Sequence, residues 1–117
     1  MAIQLEGKKL LTNQVDTLVS KIRLVVDCYF QSTLDTTEKI GLTDVAFSVS
    51  PTTGNLLLSG NEIFTITLGS FDYKEVVGIE LTNTDASVIY VEGSFQNGFG
   101  FYVDGQFTLD TLALSFT

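Results

Sequence analysis

The fold class is decided by residues 21–30, KIRLVVDCYF, in which apolar side chains alternate with polar or amphipathic ones. One face of this segment would carry Ile22, Leu24, Val26, Cys28 and Phe30, and the other face would carry Arg23, Asp27 and Tyr29. A period of two is typical of a β-strand that has one face in the core. We therefore predict a half-buried strand, with Val25 as the exception to the alternation.

The segment before this strand contains the one helical pattern of the chain. Its apolar residues recur at spacings of four, three and four, and two more widen the stripe: Leu11, Val15, Leu18 and Ile22, with Leu10 and Val19. Polar residues lie between them, which is typical of an amphipathic helix. We predict a helix over residues 7–19, with the leucine stripe against the core and the polar face outward.

The segment after the strand begins with a polar, Thr-rich stretch, 31–39, that predicts an exposed loop. Apolar alternation then returns in short runs separated by turn residues: 45–49, 56–58, 63–68, 77–81, 88–95, 99–103 and 107–116. Many short strands at such intervals favour an antiparallel β-sandwich. We predict a mainly β, jelly-roll-like sandwich with one N-terminal helix. It would form one domain over 1–117, with a helical segment at 1–21 and the sandwich at 22–117.

Turn residues between these runs predict how the strands connect. Pro51 and Gly54 lie in a turn over 51–55, because Pro restricts φ and Gly accepts a left-handed conformation. The pair Asp104-Gly105 predicts a type I′ hairpin. Asn97-Gly98 is followed closely by Gly100, which favours a bulge or a loop crossing at that point.

Charge is distributed unevenly along the chain. There are 14 acidic and 6 basic side chains, for a net charge of −8. The first 39 residues carry five acidic and five basic side chains and have no net charge. After residue 39 the only basic side chain is Lys74. This acidic block disfavours nucleic acid, since phosphate is bound through Lys and Arg, and it disfavours anionic membranes.

Residues suited to catalysis are scarce. The chain has no histidine and one cysteine, Cys28, which excludes histidine-dependent triads and His or multi-Cys metal sites. No phosphate-binding loop or dinucleotide fingerprint is present. A carboxylate pair or a calcium site stays open in principle among 14 acids, although no EF-hand pattern occurs. We expect no enzyme activity, no cofactor and no metal, and a structural role for a buried Cys28.

Aromatic residues cluster near the C-terminus, at Phe95, Phe99, Phe101, Tyr102 and Phe107. Alternate members of such a run point to opposite faces of a strand, so about half belong to the core. The others would coat a partner interface or form a sugar platform. The N-terminus lacks a signal-peptide pattern and no apolar run approaches membrane-spanning length, so we expect synthesis in the cytosol and no membrane-spanning segment.

Several short motifs follow one another along nearly the whole chain: GKKLLTN (7–13), IRL (22–24), VAFSV (45–49), TGNLLLSG (53–60), VVGIEL (76–81), GQFTL (105–109) and LALSF (112–116). Their order resembles that of small bacteriophage virion proteins of the tail-fibre or appendage type. The chain departs from that family after Val26, where the family has a Gly/Asp/Pro-rich loop. The resemblance implies a β-sandwich subunit that assembles into virions and has no catalytic residues.

The sequence therefore predicts a non-enzymatic structural subunit on the exterior of a virion, as a tail or neck appendage or as a capsid decoration. Its expected partners are other virion proteins and copies of itself, with no nucleic acid and no membrane. The candidate assembly contacts are Lys8, Lys9, Lys21, Arg23, Phe99, Phe101 and Tyr102. The alternative is a carbohydrate- or receptor-binding β-sandwich module.

Overall fold

The computed structural model describes residues 3–115, which form one helix followed by nine strands. Their bounds are α1 Leu5–Leu18, β1 Lys21–Phe30, β2 Thr33–Asp44, β3 Phe47–Val49, β4 Leu56–Leu58, β5 Glu62–Ile66, β6 Tyr73–Thr82, β7 Ile89–Phe101, β8 Gly105–Leu109 and β9 Ala113–Leu114. The run predicted over 107–116 is divided between the end of β8 and the short β9, and Phe116 lies outside the described residues.

The strands form three antiparallel groups. The large sheet has the order β2-β1-β6-β7, the small sheet has the order β3-β4-β9, and β5 pairs with β8 in a two-stranded ribbon. The predicted mainly β, antiparallel class with one N-terminal helix is confirmed. The finer jelly-roll arrangement stays a prediction, because this strand order does not by itself define one.

The core lies between the large sheet and the other two groups. Alternate residues of β1 are fully buried, as the period of two predicted, and Cys28 is among them. The buried apolar residues of the large sheet are Ile22, Leu24, Val26, Cys28, Val76, Ile79 and Leu81, and they pack with Leu56, Phe64, Ile66, Phe107 and Leu109 from the opposite layer. Each large aliphatic side chain buried in this way contributes about 1.5–3 kcal/mol, so this interlayer contact holds the domain together.

The end of β1 differs from the prediction. Phe30 is 52% exposed and does not belong to the core. The chain turns immediately afterwards, with Gln31 and Ser32 both at positive φ, so Phe30 lies at the very end of the strand and stays uncovered.

The predicted loop over 31–39 is wrong, because Thr33–Asp44 forms the long strand β2. This strand pairs with β1 along its length but lies at the edge of the large sheet. An edge strand whose side chains are mostly exposed needs no apolar alternation, and its β-branched threonines favour an extended backbone.

The predicted Asp104-Gly105 hairpin is also wrong. Strand β8 pairs with β5, whereas β7 pairs with β6, so the connection crosses between two strand groups. Asp104 instead accepts a hydrogen bond from the Leu68 backbone N–H at 2.8 Å. Asn97-Gly98 lies inside a continuous β7 next to a register shift, in agreement with the predicted bulge, so the two strands predicted over 88–103 are one.

Candidate functional site

The four basic residues predicted as assembly contacts have polar partners within the chain. Lys8 Nζ donates to Asn55 Oδ1 at 2.9 Å, and Lys9 lies 3.2 Å from Glu6. The other two pairs are Lys21 with Asp44 at 2.6 Å and Arg23 with Glu80 at 2.7 Å. Their role as assembly contacts stays a prediction, and their ammonium and guanidinium groups already have partners in the subunit.

Glu80 forms ion pairs with two basic residues, Arg23 and Lys39. Its carboxylate is almost completely buried and also lies 2.9 Å from Lys39 Nζ. Desolvation raises the pKa of Glu80, but hydrogen bonds from Lys39 and Arg23 outweigh it, and the net pKa lies below its usual 4.5. Glu80 is therefore an ionised structural residue of the large sheet.

Cys28 lies on the inner face of the large sheet beside Lys74 and Glu38. Lys74 is buried, lies 3.3 Å from Glu38, and sits 5.5 Å from the centre of the Phe71 ring. Burial, and then the hydrogen bond and charge of Glu38, raise the pKa of the Cys28 thiol to about 11. A neutral, enclosed thiol is a poor nucleophile, which agrees with the predicted structural role.

Helix α1 is rotated about its axis relative to the prediction, so that Val15 and Val19 pack inward as predicted but the leucines do not. The residue at the centre of its contact is Thr12, which is fully buried, while Leu10 is 62% exposed. Leu11 and Leu18 are also exposed. The stripe that packs inward is Lys8, Thr12, Val15 and Val19, which has the same spacing of four, three and four but lies beside the predicted one. We call the outward-facing set Leu10, Leu11 and Leu18 the leucine face.

Polar contacts with the β3–β4 turn determine this orientation. Thr12 Oγ1 lies 2.7 Å from the Gly54 carbonyl oxygen and 2.8 Å from that of Lys8, so its proton is donated to one of two carbonyls. Gly54 occupies the turn at φ +70°, where the helix approaches closely. The predicted turn over 51–55 is confirmed and forms the docking point of the helix.

Two long strand edges are open in the described part of the chain. Strands β2 and β7 have 12 and 13 residues and form the two outer strands of the large sheet. Within residues 3–115, neither pairs with a further strand along its outer edge. Unpaired N–H and C=O groups along such edges are a template for pairing with another chain.

The three aromatic residues predicted as assembly contacts lie in different environments. Phe99 packs against Phe95 and Phe107, with ring centroids 5.5 and 5.2 Å apart, although about half of it stays exposed. Phe101 is half-buried against the core. Tyr102 is 77% exposed and belongs to a different cluster.

That cluster is a cleft of about 530 Å³ at one end of the large sheet, which we call the tyrosine cleft. Its lining residues are Tyr29, Ser32, Asp72, Tyr73, Glu75 and Tyr102. The rings form a row, since the Tyr29–Tyr73 and Tyr73–Tyr102 centroids are 5.4 and 4.6 Å apart. Burial, followed by the charge of Glu75, raises the pKa of Tyr73, so its hydroxyl stays protonated at neutral pH.

Glycines in β7 lie against two of the side chains that line this cleft, Tyr73 and Glu75. A Cβ atom at Gly100 would overlap the Tyr73 ring, and one at Gly98 would overlap the Glu75 carboxylate. The two side chains therefore lie directly against the backbone of the neighbouring strand. Sequence reasoning missed Tyr29 and Tyr73, although the spacing of Tyr73 and Glu75 by two residues places both on one strand face.

No group of three or more metal-ligating side chains occurs among the described residues. Within the same part of the chain, no helix is long and apolar enough to cross a membrane.

No protein-family model, no curated protein and no solved structure matches this chain. The geometry described above is therefore what bears on its function.

Proposed function

We propose that the chain is a non-enzymatic structural subunit of a bacteriophage virion that assembles through its helix and sheet edges. The observation that carries the assembly part of this proposal is the leucine face. The helix packs Lys8 and Thr12 together with two valines against its own domain and leaves three leucines exposed, an arrangement that keeps apolar surface uncovered in an isolated subunit. Covering these leucines with another copy corrects that arrangement.

The size of the helix indicates that other surfaces contribute to the contact. A helix of 14 residues is ~21 Å long and ~10 Å wide, so one face covers ~200 Å². A stable interface buries about 800 Å² per partner. The leucine face alone is too small, and we infer that the open edge of β2 or β7 supplies the remaining area.

Charge and motif order support a location on a particle exterior. A net charge of −8 repels packaged DNA and suits an outward-facing component. The sequence motifs resemble those of virion appendage proteins, and the mainly β, antiparallel fold is the class that the resemblance implies. A tail or neck appendage and a capsid decoration both fit these features.

Light scattering after size exclusion, over a range of concentrations, tests the assembly. We expect a mass above the 12.8 kDa of one chain, and a shift toward the monomer in the double variant Leu10→Ser/Leu18→Ser. Ile63→Ser is the matched control, because Ile63 is 60% exposed but lies on β5. A wild-type chain that is strictly monomeric at high concentration and binds no purified particle would contradict the proposal.

The second candidate function is a carbohydrate- or receptor-binding module. The observation that favours it is the tyrosine cleft, where an exposed Tyr102 lies beside the polar groups of Asp72 and Ser32. Aromatic faces beside hydrogen-bonding groups are the usual components of glycan sites. A glycan array with wild-type protein and Tyr102→Ala tests this candidate. If the wild type binds no glycan on the array, the candidate is rejected.

A further inference from the structure

We propose that the tyrosine cleft binds an alkylated ammonium cation, with the tyrosine rings against its alkyl groups and the carboxylates of Asp72 and Glu75 against its charge. This inference does not depend on the assembly role. It is an alternative to the glycan-binding candidate described above, because both ligands would occupy the tyrosine cleft.

Aromatic residues are concentrated in this cleft beyond what core packing requires. The chain has four tyrosines, of which Tyr29, Tyr73 and Tyr102 line the cleft and only Tyr90 lies elsewhere. They come from β1, from β6 and from the segment after β7, so the tertiary structure brings them together. The face of a tyrosine ring attracts cations through its quadrupole, and rows of such rings recognise quaternary ammonium groups.

The charge in the cleft has the sign that a cation requires. Asp72 and Glu75 are the ionisable carboxyl groups of the lining, which contains no lysine or arginine. Lys74 lies between them in sequence but points to the opposite face of the sheet, where it is buried against Glu38. One oxygen of Asp72 accepts the Gln31 N–H at 2.8 Å, and the described residues place no ion-pair partner at either carboxylate.

The shape of the cleft also favours a compact cation over a flat sugar ring. Its volume of about 530 Å³ lies within the usual range for small-ligand sites. The Tyr29 and Tyr102 rings are tilted by 53° and 39° to Tyr73, so they present several surfaces and not one flat platform.

Tyrosine fluorescence gives a direct readout, because the chain has no tryptophan and three of its four tyrosines line the cleft. We would titrate choline chloride, its neutral carbon analogue 3,3-dimethylbutan-1-ol, and methyl glucoside, and follow amide shifts by NMR in parallel. We expect a saturable response to choline, and a response to the other two that is absent or at least about fivefold weaker.

Single substitutions test whether the fluorescence response to choline arises in the tyrosine cleft. Tyr102→Ala removes an exposed ring, and Glu75→Gln removes one charge with little change of shape, so each should weaken choline binding about fivefold or more. Tyr90→Ala is the matched control and should bind choline as the wild type does. Circular dichroism confirms that each variant is folded.

Three results would overturn the proposal: no saturable response to choline, an equal response to the neutral analogue or the glucoside, or an equal loss in Tyr90→Ala and Tyr102→Ala. A further titration with Nα-acetyl-lysine amide distinguishes the source of the cation. Tighter binding of choline assigns a free quaternary ammonium ligand, and tighter binding of the lysine amide assigns a lysine side chain of a partner protein.

Discussion

At the scale of single residues, buried polar groups determine how the helix and the sheet are held. Thr12 and Glu80 are both buried, and each has its partners within hydrogen-bond distance. A buried polar group that loses its partner costs more than the bond itself contributes, because desolvation is then uncompensated. These two residues therefore give the sharpest predictions.

Thr12→Val keeps the shape of the side chain but removes a buried hydroxyl that lies within hydrogen-bond distance of the Gly54 and Lys8 carbonyl oxygens. We expect the free energy of unfolding to fall by about 1–3 kcal/mol in urea denaturation. Thr17→Val is the matched control, because the Thr17 hydroxyl donates to the Asn13 carbonyl on the exposed side of the same helix. That variant should stay within about 0.5 kcal/mol of the wild type. Equal losses in both variants would contradict the docking role of Thr12.

Glu80 should make stability depend on pH in the acidic range. Its pKa is lower in the folded protein than its usual 4.5, so its contribution is present above that value and is lost as the pH falls through the folded-state pKa. Glu80→Gln should therefore destabilise the protein at neutral pH and flatten the loss of stability below about pH 4.5. Urea denaturation at a series of pH values measures this effect. An unchanged pH slope in the variant would show that other carboxyl groups cause it.

At the scale of elements, the period of two identifies the inner strand β1 but not the edge strand β2. A strand with one buried face must alternate, whereas β2 is held by hydrogen bonds to β1 and its side chains are mostly exposed. Its Thr-rich sequence therefore has the composition of a loop. The helix shows the same limit. Its existence could be predicted from local periodicity, but its orientation depends on a contact with a turn 42 residues away.

The pairing of β6 with β7 depends on Gly78. A Cβ atom there would overlap the Gly93 carbonyl oxygen, so the two strands would have to move apart. We expect Gly78→Ala to lower the free energy of unfolding by about 1–3 kcal/mol. Gly93→Ala is the control in the same pair, since its Cβ would lie 3.4 Å from an Ile79 side-chain atom, an ordinary contact. Thermal unfolding of both variants compares them, and a neutral Gly78→Ala would contradict this packing.

At the scale of the whole molecule, the subunit is elongated, at 49 × 28 × 24 Å. Strand β7 has 13 residues and spans ~43 Å, so an open edge of the large sheet is nearly as long as the long axis. Side-by-side copies would bring such edges together, while a charge of −8 on every copy opposes their approach.

Salt should therefore strengthen the assembly if apolar contacts and strand edges drive it. Raising NaCl from about 50 to about 500 mM shortens the screening length and weakens repulsion between acidic copies. Light scattering at both salt concentrations measures the change. If basic residues dock on the acidic strands of a neighbouring copy, salt should instead weaken assembly, and charge reversal at both Lys8 and Lys9 should abolish it. Assembly that is retained in Lys8→Glu/Lys9→Glu would refute that electrostatic pairing.

The sequence by itself determined the mainly β class, the single N-terminal helix, the burial of Cys28 and the acidic character of the chain, because these depend on local periodicity and composition. Only the tertiary structure decided that the leucine face points outward, that β2 is a strand, and that three tyrosines converge. Each of these depends on contacts between distant parts of the chain. Local periodicity does not distinguish a loop from an edge strand, or one helix orientation from another. Pairing with β1 decides the first, and the contact of Thr12 with the buried Gly54 carbonyl decides the second.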